Sequence, residues 1–78
     1  MTTAHFENLT LDEKVDALSE SGIYLMSRQN SIYNIFLYAI DRLYVEVLFL
    51  KKTSQMQNAD LITSEKVIDY YLNQLILT

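Results

Sequence analysis

Residues 32–50, IYNIFLYAIDRLYVEVLFL, limit what this chain can fold into more than any other stretch. Two apolar runs flank the dipeptide Asp41-Arg42, and one carboxylate, Glu46, sits inside the second run. A helical template fits part of it, because positions 32, 35, 36, 39, 40, 43, 47 and 50 are all apolar. Such a helix would carry Glu46 on its apolar face. Composition argues the other way. Ten of the nineteen residues are Ile, Val, Tyr or Phe, the types that fit a pleated, half-buried surface. The segment therefore reads as two antiparallel strands that fold back at Asp41-Arg42. An all-α helical hairpin or bundle is the alternative. The turn dipeptide is not of the Asn-Gly type that tight hairpins prefer, which leaves room for a longer loop.

The same stretch is nearly long enough to span a bilayer. Asp41 and Arg42 would then lie at mid-depth, at roughly 2.5–3.5 kcal/mol each. Its eleven Ile, Leu, Val and Phe residues return only about 3–7 kcal/mol on that scale. Glu46 and Asn34 tip the sum against insertion, so no membrane span is expected.

Around this centre the rest of the chain falls into place. Thr10 with Glu13 forms a capping box, and Asp12 and Glu13 suit the positive end of a helix dipole. Leu11, Val15 and Leu18 make one apolar stripe, so residues 11–20 read as a helix. Gly22, the only glycine, suits a left-handed closing position. IYLMS after it is rich in strand formers, RQNS at 28–31 reads as a turn, and so do residues 51–54. Residues 55–59 read as a further, weaker strand. A closing helix begins at Thr63 or Ser64, with Val67, Ile68, Tyr71, Leu72 and Leu75 on its apolar side. Residues 1–9 are expected to fray, and no role is expected for His5. The fold class is α+β: an N-terminal helix, an antiparallel β-meander of three or four strands and a C-terminal helix in two layers, forming one domain over 1–78.

The segments LYAI (37–40), LYVEV (43–47) and DYYLNQL (69–75) resemble a family of short, uncharacterised bacterial α+β proteins. Hairpins in that family tend to carry glycine where this chain has Asp41-Arg42. The resemblance implies a fold of this type and no known activity.

With an even-numbered loop at Asp41-Arg42, paired residues sum to 83. Ile40 opposes Leu43, Tyr38 opposes Val45 and Phe36 opposes Val47, sharing a face with Asn34 and Phe49. That face has no charge and is expected to meet both helices. The other holds Tyr33, Ile35, Leu37, Ala39, Tyr44, Glu46, Leu48 and Leu50. A sheet with one wet face alternates apolar and polar residues, and this one does not. Two short helices cover one side, so the second is expected to need a partner, with a second copy of the chain in a two-fold dimer as the first candidate. Tyr33, Ile35, Leu37, Tyr44, Glu46 and Leu48 are the expected interface residues. The alternative is a small-ligand pocket around Tyr33, Tyr44 and Glu46.

Chemical motifs are sparse. The chain has no cysteine and one histidine, which removes disulfides and thiolate metal sites, and no metal or other cofactor is expected. Asp12, Glu13, Asp16 and Glu20 lie at helical spacings on a solvated side, without the oxygen-rich loop of a calcium site. A net charge of −4 opposes binding to phosphate backbones, so the six tyrosines read as core or interface rather than a base-stacking platform. Arg28 and Arg42, at expected turns, are weak candidates for holding an anion. Glu46, desolvated among tyrosines, could serve as a general acid or base. The favoured reading is a carboxylate solvated at the rim or hydrogen-bonded to a tyrosine or basic side chain. The chain is expected to be no enzyme but a cytoplasmic protein–protein interaction module.

Overall fold

A computed structural model describes residues 1–72. The chain is α+β, with helical segments before and after an open four-stranded antiparallel sheet of order β1-β2-β3-β4. The elements are α1 (Thr3–Glu7), α2 (Leu11–Ser21), β1 (Ile23–Gln29), β2 (Tyr33–Ile40), β3 (Leu43–Leu50), β4 (Met56–Ile62) and α3 (Ser64–Val67). A single π-helical turn, Ile68–Leu72, follows α3. Leu75, assigned above to the apolar side of the closing helix, lies outside the described residues.

Residues 32–50 are strands, not a helix. Every β2–β3 pair from Ile40–Leu43 out to Tyr33–Leu50 sums to 83, as the two-residue loop requires. Asp41 makes that tight turn possible without glycine. It takes a positive φ of 53°, a left-handed position that aspartate tolerates because its short polar side chain can bond locally. No longer loop is needed. At the opposite end of β2, the Asn30 side chain accepts the backbone N–H groups of Ile32 and Tyr33, both at 2.8 Å, which closes the β1–β2 connection. β4 starts one residue after and ends three residues beyond the range read from the sequence.

Helix α2 is capped as its sequence dictates. Thr10 N–H donates to Glu13 Oε1 at 2.8 Å and Glu13 N–H to Thr10 Oγ1 at 3.2 Å. These bonds hold the Glu13 carboxyl below its ordinary pKa. Gly22 does not take the left-handed conformation expected of it; its φ is −79° and its backbone is extended. Close approach explains the glycine instead, because a Cβ there would lie 2.5 Å from the Leu18 carbonyl oxygen.

The helical segments pack on opposite faces of the sheet rather than together on the uncharged one. On that uncharged face, Phe6 and Leu18 join Ile40, Val45, Val47 and Ala59 in the main core. The nine N-terminal residues therefore do not fray as a unit. α1 is capped by Thr2, whose Oγ1 accepts from His5 N–H at 3.1 Å, and its Phe6 is fully buried. On the Glu46 face, Ile35, Leu37 and Glu46 are buried, and Tyr71 of the π turn reaches in from the C-terminal side. The expected apolar side of the closing helix is only partly in use: Tyr71 is buried while Ile68 and Leu72 are exposed. Wider winding at 68–72 replaces the regular α-helical repeat on which that expectation rested.

Candidate functional site

Glu46 is the one buried charged residue among the described residues, with 5% of its surface accessible. β3 aims it at the face it shares with Leu37 of β2 and Asp60 of β4. An isolated carboxylate there would be costly, and buried charges persist when paired and hydrogen-bonded. Arg28 supplies the pairing. Its Nε donates to Glu46 Oε2 at 2.8 Å and its Nη2 to Oε1 at 3.1 Å, a two-pronged contact. The Tyr71 hydroxyl donates to Oε2 at 2.7 Å. Below the guanidinium lies the Tyr70 ring, 4.3 Å from its carbon to the ring centroid, and Tyr71 is 5.8 Å away on the same measure. Lys66 Nζ donates to the Tyr70 hydroxyl at 3.2 Å.

The sequence reading missed Arg28 as a partner because a β-bulge decides where it points. Ile23 pairs with Ala39 and Tyr24 with Tyr38, yet Met26 pairs with Leu37 and Arg28 with Ile35. One extra residue, Leu25, shifts the register. Without it Arg28 would oppose Asn34 and face the uncharged side. Bulges re-aim side chains in this way. Arg28 lies in β1 rather than in a turn, two strands from Glu46, so its apolar stem crosses β2 and only its head reaches the carboxylate. Arg42 stays exposed at the β2–β3 turn, away from this cluster.

The residues named from the sequence do not converge on one pocket. Tyr33 pairs with Leu50, whereas Tyr44 pairs with Ala39 and Ile62. The two tyrosines are thus separated by six positions along the sheet, about 20 Å at the strand rise. Neither bonds Glu46. Ile35 and Leu37 are packed interior, and Leu48 is half-buried. An open groove of about 580 Å³ runs beside the cluster, lined in part by Arg28, Glu46, Asp60, Thr63, Lys66 and Tyr70. Its charges are mixed in sign.

Chemically, the cluster is a fastening. Both oxygens of Glu46 are engaged, and every buried side-chain polar atom among the described residues has a partner. The carboxylate is not a free base. Tyr71 is held protonated: burial first, then its bond to Glu46, pushes its pKa well above the ordinary phenol value. The unfolded chain releases this proton near pH 10, while the folded chain retains it. The stability that this proton contributes is therefore complete below about pH 10 and falls as pH rises through and beyond that point. Tyr71→Phe is expected to reduce stability by roughly 1.5–3 kcal/mol at neutral pH, the worth of a hydrogen bond to a charged group. It should also flatten the alkaline decline by about one proton's slope, roughly 1.4 kcal/mol per pH unit. Urea unfolding at pH 8, 10 and 11 checks both; an unchanged alkaline slope would assign the decline to other groups.

No group of three or more His, Cys, Asp or Glu side chains that could hold a metal ion occurs among the described residues. None of the described helices is long and apolar enough to cross a membrane. No family model, curated protein or solved structure matches the chain.

Proposed function

We propose that this chain is a non-catalytic interaction module that associates with a second copy of itself. The observation that carries the reading is where apolar surface remains uncovered. Ile23 is 65% exposed, Tyr24 51% and Leu25 44%, three consecutive residues at one end of the edge strand β1, whereas Ile32, 55% exposed, lies beyond its other end. Uncovered apolar surface gathered in one region marks contact sites. Ile35, Leu37 and Glu46, at the centre of the face first assigned to the partner, are buried within the chain, so we assign the contact to the exposed end of β1 instead. The engaged state of Glu46 favours a binding role over general acid–base chemistry. The resemblance to short bacterial α+β proteins and a cytoplasmic setting, suited to a cysteine-free composition, belong to the same reading.

Sedimentation equilibrium from about 10 μM to 1 mM tests it. The expected result is a mass rising from 9.1 kDa toward twice that value. A single 9.1 kDa species at every concentration would remove the proposal.

A second reading, a small-ligand site in the groove beside Arg28, Lys66 and Tyr70, draws on that groove's size, which is within the range of ligand pockets. The groove is open and its lining mixes Glu7 and Asp60 with Lys14 and Lys66, which selects no one class of ligand and puts this reading second.

A further inference from the structure

We infer that Lys14 and Asn58 close the free edge of β4 against pairing with an added strand. β4 is a terminal strand of the open sheet, so one of its sides has no strand beside it. Such an edge offers a row of backbone N–H and C=O groups on which another chain can pair. Space does not keep a strand out. The open groove of about 580 Å³ runs along this side, with residues 59–63 in its lining.

The hydrogen-bond pattern identifies the backbone groups that face the groove. Leu50 N–H donates to the Gln55 carbonyl at 2.9 Å, whereas Lys51 N–H turns the other way, to the Ile32 carbonyl at 3.0 Å. Alternation back along β3 then directs the backbone groups of Leu48, Glu46 and Tyr44 to β4, and those of Val47 and Val45 to β2. Ala59 and Leu61 are the residues of β4 opposite Val47 and Val45. Their N–H and C=O groups therefore point away from the sheet.

Both outward groups of Ala59 are taken. Its N–H donates to Asn58 Oδ1 at 2.9 Å, and its carbonyl accepts from Lys14 Nζ at 3.4 Å, a long contact that the charge of the donor strengthens. The Phe6 ring, its centroid 5.5 Å from Nζ, helps to hold the ammonium there. An incoming strand would have to break both bonds and bury the ammonium unpaired, which is costly. On either side of Ala59 the edge gives out. Gln57 is the extra residue of a bulge, because Asn58 pairs with Leu48 and Met56 with Phe49. Past Ile62, the Thr63 carbonyl accepts from Val67 N–H at 3.1 Å and so opens α3. Between bulge and helix only Leu61 retains an outward pair of groups, and one residue does not hold a strand. The closure applies equally to a monomer and to a pair joined at the exposed end of β1.

The double variant Lys14→Met with Asn58→Val removes both caps, keeps an apolar stem beside Phe6 and places a strand former at position 58. It should self-associate at least tenfold more tightly than the wild type by sedimentation equilibrium, with slowed amide exchange at Leu61. A double variant that folds, by circular dichroism, yet associates no more than the wild type would overturn the inference. So would association that slows exchange in β1 and not at Leu61. Two readouts do not need the double variant to fold. Asn58→Val alone, at an exposed position, should reduce the protection of the Ala59 amide several-fold in dilute solution, and unchanged protection would show that Asn58 is no cap. Wild-type chains should show no slowing at Leu61 between about 10 μM and 1 mM, whether or not their mass rises. Slowing there would overturn this inference, whereas a mass fixed at 9.1 kDa with no slowing supports it and removes only the self-association proposed above.

Discussion

Arg28→Ala should lower the free energy of unfolding by roughly 3 kcal/mol, one of the two largest single-residue effects expected here. Removing one partner of a buried ion pair costs about 3–5 kcal/mol, because the other charge is left without compensation. Glu46 is the member that suffers, since only 6% of its side chain is accessible while 24% of the Arg28 side chain is. That partial exposure of Arg28 puts the value at the lower end, because water can enter where the guanidinium was. Tyr71 would still donate to Oε2, but a single neutral donor does not balance a buried carboxylate. A domain of 78 residues has about 4–12 kcal/mol of stability in total at typical values per residue. The loss is therefore large enough to populate unfolded chains. The double variant Arg28→Met with Glu46→Leu should recover most of it, since apolar replacements of a buried pair are often neutral or stabilising. Urea unfolding followed by circular dichroism, run as a double-mutant cycle, reads both values. A loss below about 1 kcal/mol in Arg28→Ala would show that the pair behaves like a surface salt bridge.

Phe6→Ala is expected to cost about 3–5 kcal/mol, the usual range for deleting a buried aromatic side chain. Phe6 is fully buried and packs with Leu18, Ile40, Val45, Val47 and Ala59. Lys14 adds a cation above the ring, with Nζ 5.5 Å from the centroid. Helix α1, at five residues, is far too short to persist alone, so its order depends on tertiary contacts, with Phe6 its buried anchor. The variant should therefore both lower the urea midpoint and raise amide exchange in residues 3–8. If residues 1–9 only lay loosely on the surface, Phe6→Ala would change stability by less than 0.5 kcal/mol, the usual effect of a surface substitution.

Much of the fold was legible in local pattern. The strand pair across Asp41-Arg42, its register and the Thr10–Glu13 cap each depend on residues close in sequence, so composition and spacing determine them. Glu46 was recognisable as the sharpest chemical position for a similar reason: a lone carboxylate in an apolar run must find a partner. Its partners could not be read. Arg28 reaches it only because one extra residue at Leu25 turns β1 over, a shift of register that alternation along the strand does not announce. Tyr71 reaches it from twenty-five positions away through a π turn that no local propensity specifies.

The sequence by itself favoured a hairpin over a helix for residues 32–50 and, for a two-residue loop, determined which residues share each of its faces and that one face lacks charge. Alternation along a strand follows from backbone geometry alone, so these results need no knowledge of what lies above the sheet. Only the tertiary structure decided which helical segment covers which face, and hence that Glu46 is buried beneath Tyr71 while Ile23, Tyr24 and Leu25 at the end of β1 stay exposed. Both faces are apolar enough to accept a cover. The choice between them is made by long-range contacts, Phe6 and Leu18 on one side and the Arg28–Glu46–Tyr71 cluster on the other, whose partners lie far apart in the sequence.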